Sequence, residues 1–326
     1  MPSSSPRPST SGPSSGPSAG SIRRVLLLAD LRKAEVGDIL PAMERFLVEQ
    51  VESVSVERDL REFSKRSRDP DEPRLDLVVV VGGDGSILSA VRAFAAHPVP
   101  ILGINYGRVG FLAPVPAREW RDGLREVLEG RAVVEPRMRL VAELQRPRGK
   151  AGPPLVALND LVVSRGAVQG LVTLSLSVGE QWVSEYRADG LIFATPSGST
   201  AHSLAAGGPI LAPSMTGIIV TPICPHALSH RPLVLHPDSA ILVRVERASG
   251  LVTLAVDGHG FHPLEVGDCL SIRRHARPYP LLTRPNLDPW KRLRERLGWR
   301  GSLEPHQVLD HPPEPDGPGV GQGEVL

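Results

Sequence analysis

The chain has 326 residues, 41% of them hydrophobic, with 37 Lys and Arg against 36 Asp and Glu and a formal net charge of +1. That is enough length for one large or two ordinary domains and enough apolar material for a core. It excludes the basic footprint of a nucleic-acid binder, and no apolar run is long enough to span a bilayer.

Residues 1–21 are Ser, Pro and Gly almost throughout; this is not a signal-peptide pattern, it buries nothing, and disorder is expected. The tail over 305–326 reads the same way. Val25 to Ala29 is an expected buried strand. Asp38 is expected to cap a helix with Pro41 in its first turn and Ile39, Leu40, Met43, Phe46 and Leu47 on its apolar face. Val54 and Val56 suggest a second strand. Arg58 to Arg74, charged and holding two prolines, reads as a loop.

Leu77 to Val81 is apolar and β-branched, the pattern of a strand buried on both faces. Gly82-Gly83-Asp84-Gly85 break it. Ser86 stands where an N-cap is favoured, and Ile87, Leu88, Val91 and Phe94 follow at helical spacing. Strand, glycine turn and helix start make a phosphate-binding geometry: without Cβ atoms, backbone N–H groups at the positive end of a helix can be approached closely. Asp84 would repel phosphate, so it needs a reason; a base facing a hydroxyl or a ligand for a metal counter-ion supplies one. The plainer alternative is a tight turn with Asp as turn residue. Neither the Walker pattern nor Gly-x-Gly-x-x-Gly is present.

Val99 to Ile104 is another short buried strand, followed by a loop over 105–112 at its carboxyl end, where ligands bind in such sheets. Trp120, Leu124, Val127 and Leu128 mark an amphipathic helix. The order to this point predicts an α/β domain with a mostly parallel sheet over 22–137. After Arg137 the period becomes alternating, as in Val172, Leu174, Leu176 and Val178 and again in Ile241, Val243 and Val245, which predicts a β-rich second domain over 138–283. Gln145 to Pro154 is a polar hairpin loop inside it. A last helix starts at Asp288-Pro289-Trp290, has Leu293 and Leu297 on its buried side and ends at Gly298, within a segment of 284–304.

Asn159-Asp160 interrupt an apolar strand, and their donors and acceptors suit ribose hydroxyls or a base edge; an edge bulge is the alternative. Arg187-Ala188-Asp189-Gly190 lead into the strand Leu191 to Thr195. Pro196 to Thr200 then form a second small polar loop, with a helix start closed by Gly207-Gly208-Pro209. Asp189 reads as a hydroxyl or amide contact, as a partner of Arg187 or as a turn residue. His226 and His230 are four apart, but Pro222, Pro225 and Pro232 break any metal-binding helix, and no metal ligands are assigned. Cys224 and Cys269 form no disulfide framework or metal pair and fit a reducing cytoplasm.

Taken in order, Gly82 to Gly85, Gly103-Ile104-Asn105 with Gly110-Phe111-Leu112, Asn159-Asp160, Asp189 to Ile192, Thr195 to Ala201 and Gly207-Gly208-Pro209 resemble the ATP-dependent NAD kinase family of bacterial type. Arg231-Pro232-Leu233 and Leu293 to Trp299 look like it too, and the likeness spans about residues 22–300. The resemblance implies phosphoryl transfer from ATP, or from polyphosphate, to the 2′-hydroxyl of the adenosine ribose of NAD, giving NADP. It implies Mg²⁺ with the nucleotide and a homodimer or tetramer; the cysteines leave a cytoplasmic location expected, and the charge and hydropathy leave no nucleic-acid or membrane partner expected. Under it Asp84 matches the proton acceptor, with Gly85 beside it at the substrate, and Gly82, Gly83, Gly85 and Ser86 form the phosphate loop. Asn159 and Asp160 match the substrate-binding pair, usually Asn-Glu, and Arg187 and Asp189 match further ligand contacts. Thr200, Ala201, His202, Ser203, Leu204 and Ala205 match the segment that encloses NAD. His202 stands where the family usually has Tyr and His259 where Gln is common; Gly170 falls where a contacting side chain is frequent. The first loop alone also occurs in lipid kinases and phosphofructokinases. A lipid kinase and a non-catalytic NAD or NADP binder are therefore the rival readings.

Overall fold

A computed structural model describes residues 22–65, 74–107, 110–147, 152–166 and 170–299. Both tails expected to be disordered, and 66–73 of the charged stretch, lie outside the described residues. The first layer is built from β1 (Arg24–Ala29), α1 (Ala34–Val48), β2 (Ser53–Glu57), α2 (Leu60–Lys65), β3 (Leu77–Gly82), α3 (Asp84–Ala93), β4 (Ile101–Asn105), β5 (Val115–Pro116), α4 (Trp120–Leu128) and β6 (Val133–Arg137). β2, β1, β3 and β4 lie side by side in that order, all parallel. Leu77 and Val78 to Val81 are 0% exposed, which is why this strand carries no polar alternation: helices cover both faces. α1 and α4 pack on one face through Val36, Leu40, Met43, Leu124 and Val127, and α3 covers the other through Ile87, Ala90 and Val91.

Three local expectations are corrected. α1 begins at Ala34, not behind Asp38, because Val36 joins Leu40, Met43 and Leu47 in one buried stripe and adds a turn. Pro41 therefore lies inside the helix, on its exposed face. The charged stretch contains helix α2 at 60–65, anchored by buried Leu60 and by Phe63, whose ring centroid is 5.7 Å from that of Phe94. Ser86 is not the N-cap of α3. Gly83 holds that position, and the Ser86 hydroxyl turns inward to donate to Asp30 at 3.0 Å.

The chain then forms β7 (Leu140–Gln145), β8 (Leu155–Ala157), β9 (Asp160–Arg165), β10 (Val172–Val178), β11 (Gln181–Ala188), β12 (Gly190–Ala194), a one-turn helix α5 (His202–Ala205), β13 (Ile218–Ile223), β14 (Leu233–Leu235), β15 (Ile241–Ala248), β16 (Val252–Val256), β17 (His259–Leu264) and β18 (Cys269–Arg274). These strands pair antiparallel in two sheets of six, ordered β11-β10-β15-β18-β7-β8 and β14-β13-β12-β9-β16-β17. Their inner faces share one core: Leu174, Leu176, Val243 and Val245 from one sheet meet Leu161, Val163, Leu191 and Phe193 from the other. A final strand, β19 (Tyr279–Thr283), returns to the first layer, parallel to β4 and antiparallel to β6. The fold is thus a mostly parallel α/β layer joined to a β-rich sandwich. After Leu287 a separate short unit begins. In it α6 (Pro289–Leu297) starts with the Asp288 side chain accepting from Trp290 N–H and ends at Gly298, whose φ of 66° is left-handed.

Candidate active site

The site grows from the carboxyl end of β3. Because α3 begins at Asp84, this carboxylate sits in the first helical turn, where the helix dipole favours negative charge. Its two oxygens accept backbone N–H groups from the loop after β4, Phe111 at 2.8 Å and Leu112 at 3.0 Å. Gly110 makes that approach possible, since a Cβ there would stand 2.8 Å from the Asp84 carboxyl carbon. The carboxylate is thereby aimed, with a lone pair left on each oxygen. Gly82 and Ser86 are buried, Gly83 is half-buried, and Gly85 is exposed at the cleft.

A second centre lies at the break between β8 and β9. Leu158 packs in the same cluster as Ile87 and Leu88 of α3, which brings Asn159 and Asp160 toward the first loop. Asp257, absent from the residues expected at the site, clasps this break. Its carboxylate accepts the N–H groups of Leu158 at 2.9 Å, Asn159 at 2.7 Å and Asp160 at 3.1 Å. The one signal in the sequence was Asp-Gly between two strands, a tight-turn dipeptide; both residues have positive φ, 49° and 71°. Burial pushes the Asp160 carboxyl up to about 7, helped by the nearby Asp257 charge and opposed by the backbone N–H of His202. Burial also raises the Asp257 carboxyl, against its three N–H partners. Asn159 is buried, and its Oδ1 has no partner among the described residues.

The second polar loop is pinned onto this break. Thr195 N–H donates to Asn159 O at 2.9 Å and its hydroxyl to Leu158 O at 2.6 Å. Gly198 must be glycine here, because a Cβ would lie 2.8 Å from Asn159 Cα. Buried Arg137 donates to the Ser197 hydroxyl at 3.3 Å. Thr200, Ala201 and Leu204 are half-buried, while His202 and Ala205 are exposed. Ser203 points inward to bond Thr221 at 2.9 Å. Between α2 and α3 on one side and β8, β16 and β17 on the other runs a cleft of about 1240 Å³, lined in part by Gly85, Ser89, Arg92, Leu155 and His259.

Two expected residues stand apart. Asp189 precedes β12 and pairs with Arg165 at 2.6 Å rather than with Arg187, which is exposed on β11. Asp160 pairs with Ala194 at the far end of β12, five residues from Asp189, or about 16 Å along the strand. Among the described residues no group of three or more His, Cys, Asp or Glu side chains is arranged to hold a metal ion.

A family model described as the ATP-NAD kinase N-terminal domain matches residues 25–132, and one described as the ATP-NAD kinase C-terminal domain matches residues 158–283. A NAD kinase of Symbiobacterium thermophilum is 42% identical over 223 residues, 68% of this chain and 78% of the relative. A NAD kinase of Koribacter versatilis is 34% identical over 284 residues, 85% of this chain and 99% of the relative. Among solved structures, yeast NADH kinase complexed with NADH is similar with a TM-score of 0.74 at 31% identity, covering 87% of this chain and 89% of that one. A NAD kinase from Archaeoglobus fulgidus in complex with ATP has a TM-score of 0.63 at 26% identity, over 85% and 98%.

Proposed function

The chain belongs to the ATP-NAD kinase family, and on that premise we propose that Asp84 accepts the proton of the adenosine-ribose 2′-hydroxyl of NAD as the terminal phosphoryl group of ATP moves to that oxygen. The chain is a NAD kinase, a phosphotransferase; its product is NADP. The observation that carries the role of Asp84 is its carboxylate at the first turn of α3, aimed by Phe111 and Leu112 N–H. Phosphoryl transfer is mostly positioning and charge neutralisation, so a held carboxylate and backbone donors at Gly83 and Gly85 are the parts it needs. Mg²⁺ arrives on the triphosphate as part of the substrate; such an ion keeps several waters and takes at most one or two carboxylates, a demand the Asp84 carboxylate suits.

Asn159 and Asp160 hold the dinucleotide. The unpartnered Asn159 Oδ1 is a buried acceptor that a ligand N–H or O–H satisfies. Asp160, titrating near 7, both donates and accepts at neutral pH, as a ribose hydroxyl requires. Thr200 to Ala205 close over the dinucleotide, with the exposed imidazoles of His202 and His259 against it. Asp189, about 16 Å along β12 from the partner of Asp160, and the exposed Arg187 of β11 serve as further ligand contacts, and the assembly is a homo-oligomer. Two domains, 22–137 and 138–283, flank the site. Free Cys224 and Cys269 support the cytoplasm. No helix among the described residues is long and apolar enough to cross a membrane.

The test is incubation with NAD, ATP and Mg²⁺ and detection of NADP, for the wild type and for Asp84→Asn. The variant is expected to retain NAD binding and its melting temperature while turnover falls by about 10²–10⁴. Near-normal turnover removes Asp84 from the role of base.

A further inference from the structure

The loop after β1 carries a second feature aimed at the glycine turn. Asp30 ends this strand with its N–H bonded to Val81 O, beside the carboxyl end of β3. Its buried carboxylate is occupied: Arg32 takes both oxygens, at 2.7 and 2.8 Å, and the Ser86 hydroxyl adds a bond at 3.0 Å. The Arg32 guanidinium is the largest influence holding the Asp30 carboxyl below its usual range. Arg32 therefore spends its charge on Asp30.

Lys33 does not. It is the N-cap residue of α1, and its side chain reaches across the end of β3 so that Nζ donates to Tyr106 O, in the loop after β4. Tyr106 N–H in turn donates to Gly82 O at 2.7 Å, which ties that loop to the glycine turn. The ammonium thus sits between two glycines: a Cβ on Gly83 would stand 3.2 Å from Nζ, and one on Gly107 3.0 Å. Side chains at either position would crowd the ammonium. Among the described residues no carboxylate pairs with it, and its bonded partner is a neutral carbonyl. Glu35, two residues on, is exposed.

A half-buried ammonium kept bare on two sides by glycines, at the carboxyl ends of three adjacent parallel strands, is placed to meet an anion. The Asp84 carboxylate, on the residue after Gly83, makes the turn a poor place for a polyanion unless a cation compensates. We propose that Lys33 contacts the phosphate chain of the phosphoryl donor, drawing it onto the Gly83 turn; this rests on the reading of the chain as a NAD kinase. Two of the three ammonium hydrogens remain for phosphate oxygens after Tyr106 O takes one. As a compact point charge on a flexible stem it can follow the phosphate as it moves.

The experiment measures KM for ATP and KM for NAD separately in the wild type, Lys33→Met and Lys33→Arg, with melting temperatures alongside. Lys33→Met is expected to raise KM for ATP about ten- to hundredfold, as for loss of a charge-assisted bond to phosphate. KM for NAD stays within about twofold, and Lys33→Arg recovers most of the ATP value. An unchanged KM for ATP overturns the assignment. So does an equal rise in both KM values with a lower melting temperature, which is what a purely structural tether to Tyr106 would give. Calorimetric titration of ATP alone keeps this separate from the reaction itself. If the wild type bound ATP but formed no NADP, the kinase reading would fall, while loss of ATP affinity in Lys33→Met would still uphold the lysine contact.

Discussion

At the scale of single residues, Asp160 is a side chain whose chemistry departs from what its type suggests. Its carboxyl is pushed up to about 7, from an ordinary value of 3.8, by burial first and by Asp257 second. The native state therefore holds a proton that the unfolded chain releases between those values. The stability linked to that proton is fully present below the unfolded value and is lost as pH rises through about 7. Asp160→Asn has no such proton to lose. Its melting temperature relative to wild type is expected to be higher at pH 8 than at pH 5, read by thermal denaturation at both; parallel pH profiles would contradict the shift. Asp160 and Asp257 are coupled, so the profile reports the pair rather than one residue. The Asn159-Asp160 break could be found in the sequence, since two polar residues stood inside an apolar strand. Asp257 could not be picked out, because an Asp-Gly turn looks the same whether its carboxylate faces water or clasps three backbone groups.

At the scale of elements, the site is two loops and a hairpin turn held in register by backbone bonds. Asp257 is the piece that joins them. Asp257→Ala strands three N–H groups in a buried place and asks alanine to hold a φ of 49°. A loss of about 3 kcal/mol or more in urea denaturation is expected, together with weaker NAD binding. Asp257→Asn, which keeps an acceptor oxygen and tolerates that backbone, should lose less than half as much. The helix boundaries show where pattern reading slips by a turn. Ser86 is a good cap by type, yet Gly83 takes the position because the Ser86 hydroxyl is drawn to buried Asp30. The one-turn difference matters, since it places Asp84 at the helix start rather than before it. Helix α2 was hidden for another reason: in a charged run, Leu60 and Phe63 look isolated until the Phe94 ring is there to receive them.

At the scale of the whole molecule, the first layer and the sandwich are joined by two chain passages, between β6 and β7 and between β18 and β19. Arg139 lies in the first passage, 0% exposed. Its guanidinium donates to Arg277 O at 3.0 Å in the second passage and to Ala95 O at 2.9 Å just beyond α3. It also lies 5.6 Å over the Tyr279 ring. Burial pulls its pKa below the usual range, so the charge is held at a cost and satisfied by carbonyls. Arg139→Met is expected to lower stability by about 1–3 kcal/mol, because the part-buried carbonyls of Arg277 and Ala95 lose their bonds to the guanidinium. Arg139→Lys recovers part of that, lacking the planar fork; urea denaturation of both variants is the check.

The sequence by itself determined the kind of sheet, the glycine turn and the order of the loops. Each of these is written in short-range terms: β-branched runs buried on both faces, glycines where Cβ atoms cannot fit, polar pairs inside apolar strands. Tertiary structure decided what those terms do not contain. It brought β19 back beside β4, set Asp257 under the break at Asn159 and Asp160, and carried the Lys33 ammonium across β3 to Gly83 and Gly107. All three are contacts between residues fifty or more positions apart. Burial and charge at such a contact are properties of the packed chain, and no local spacing encodes them.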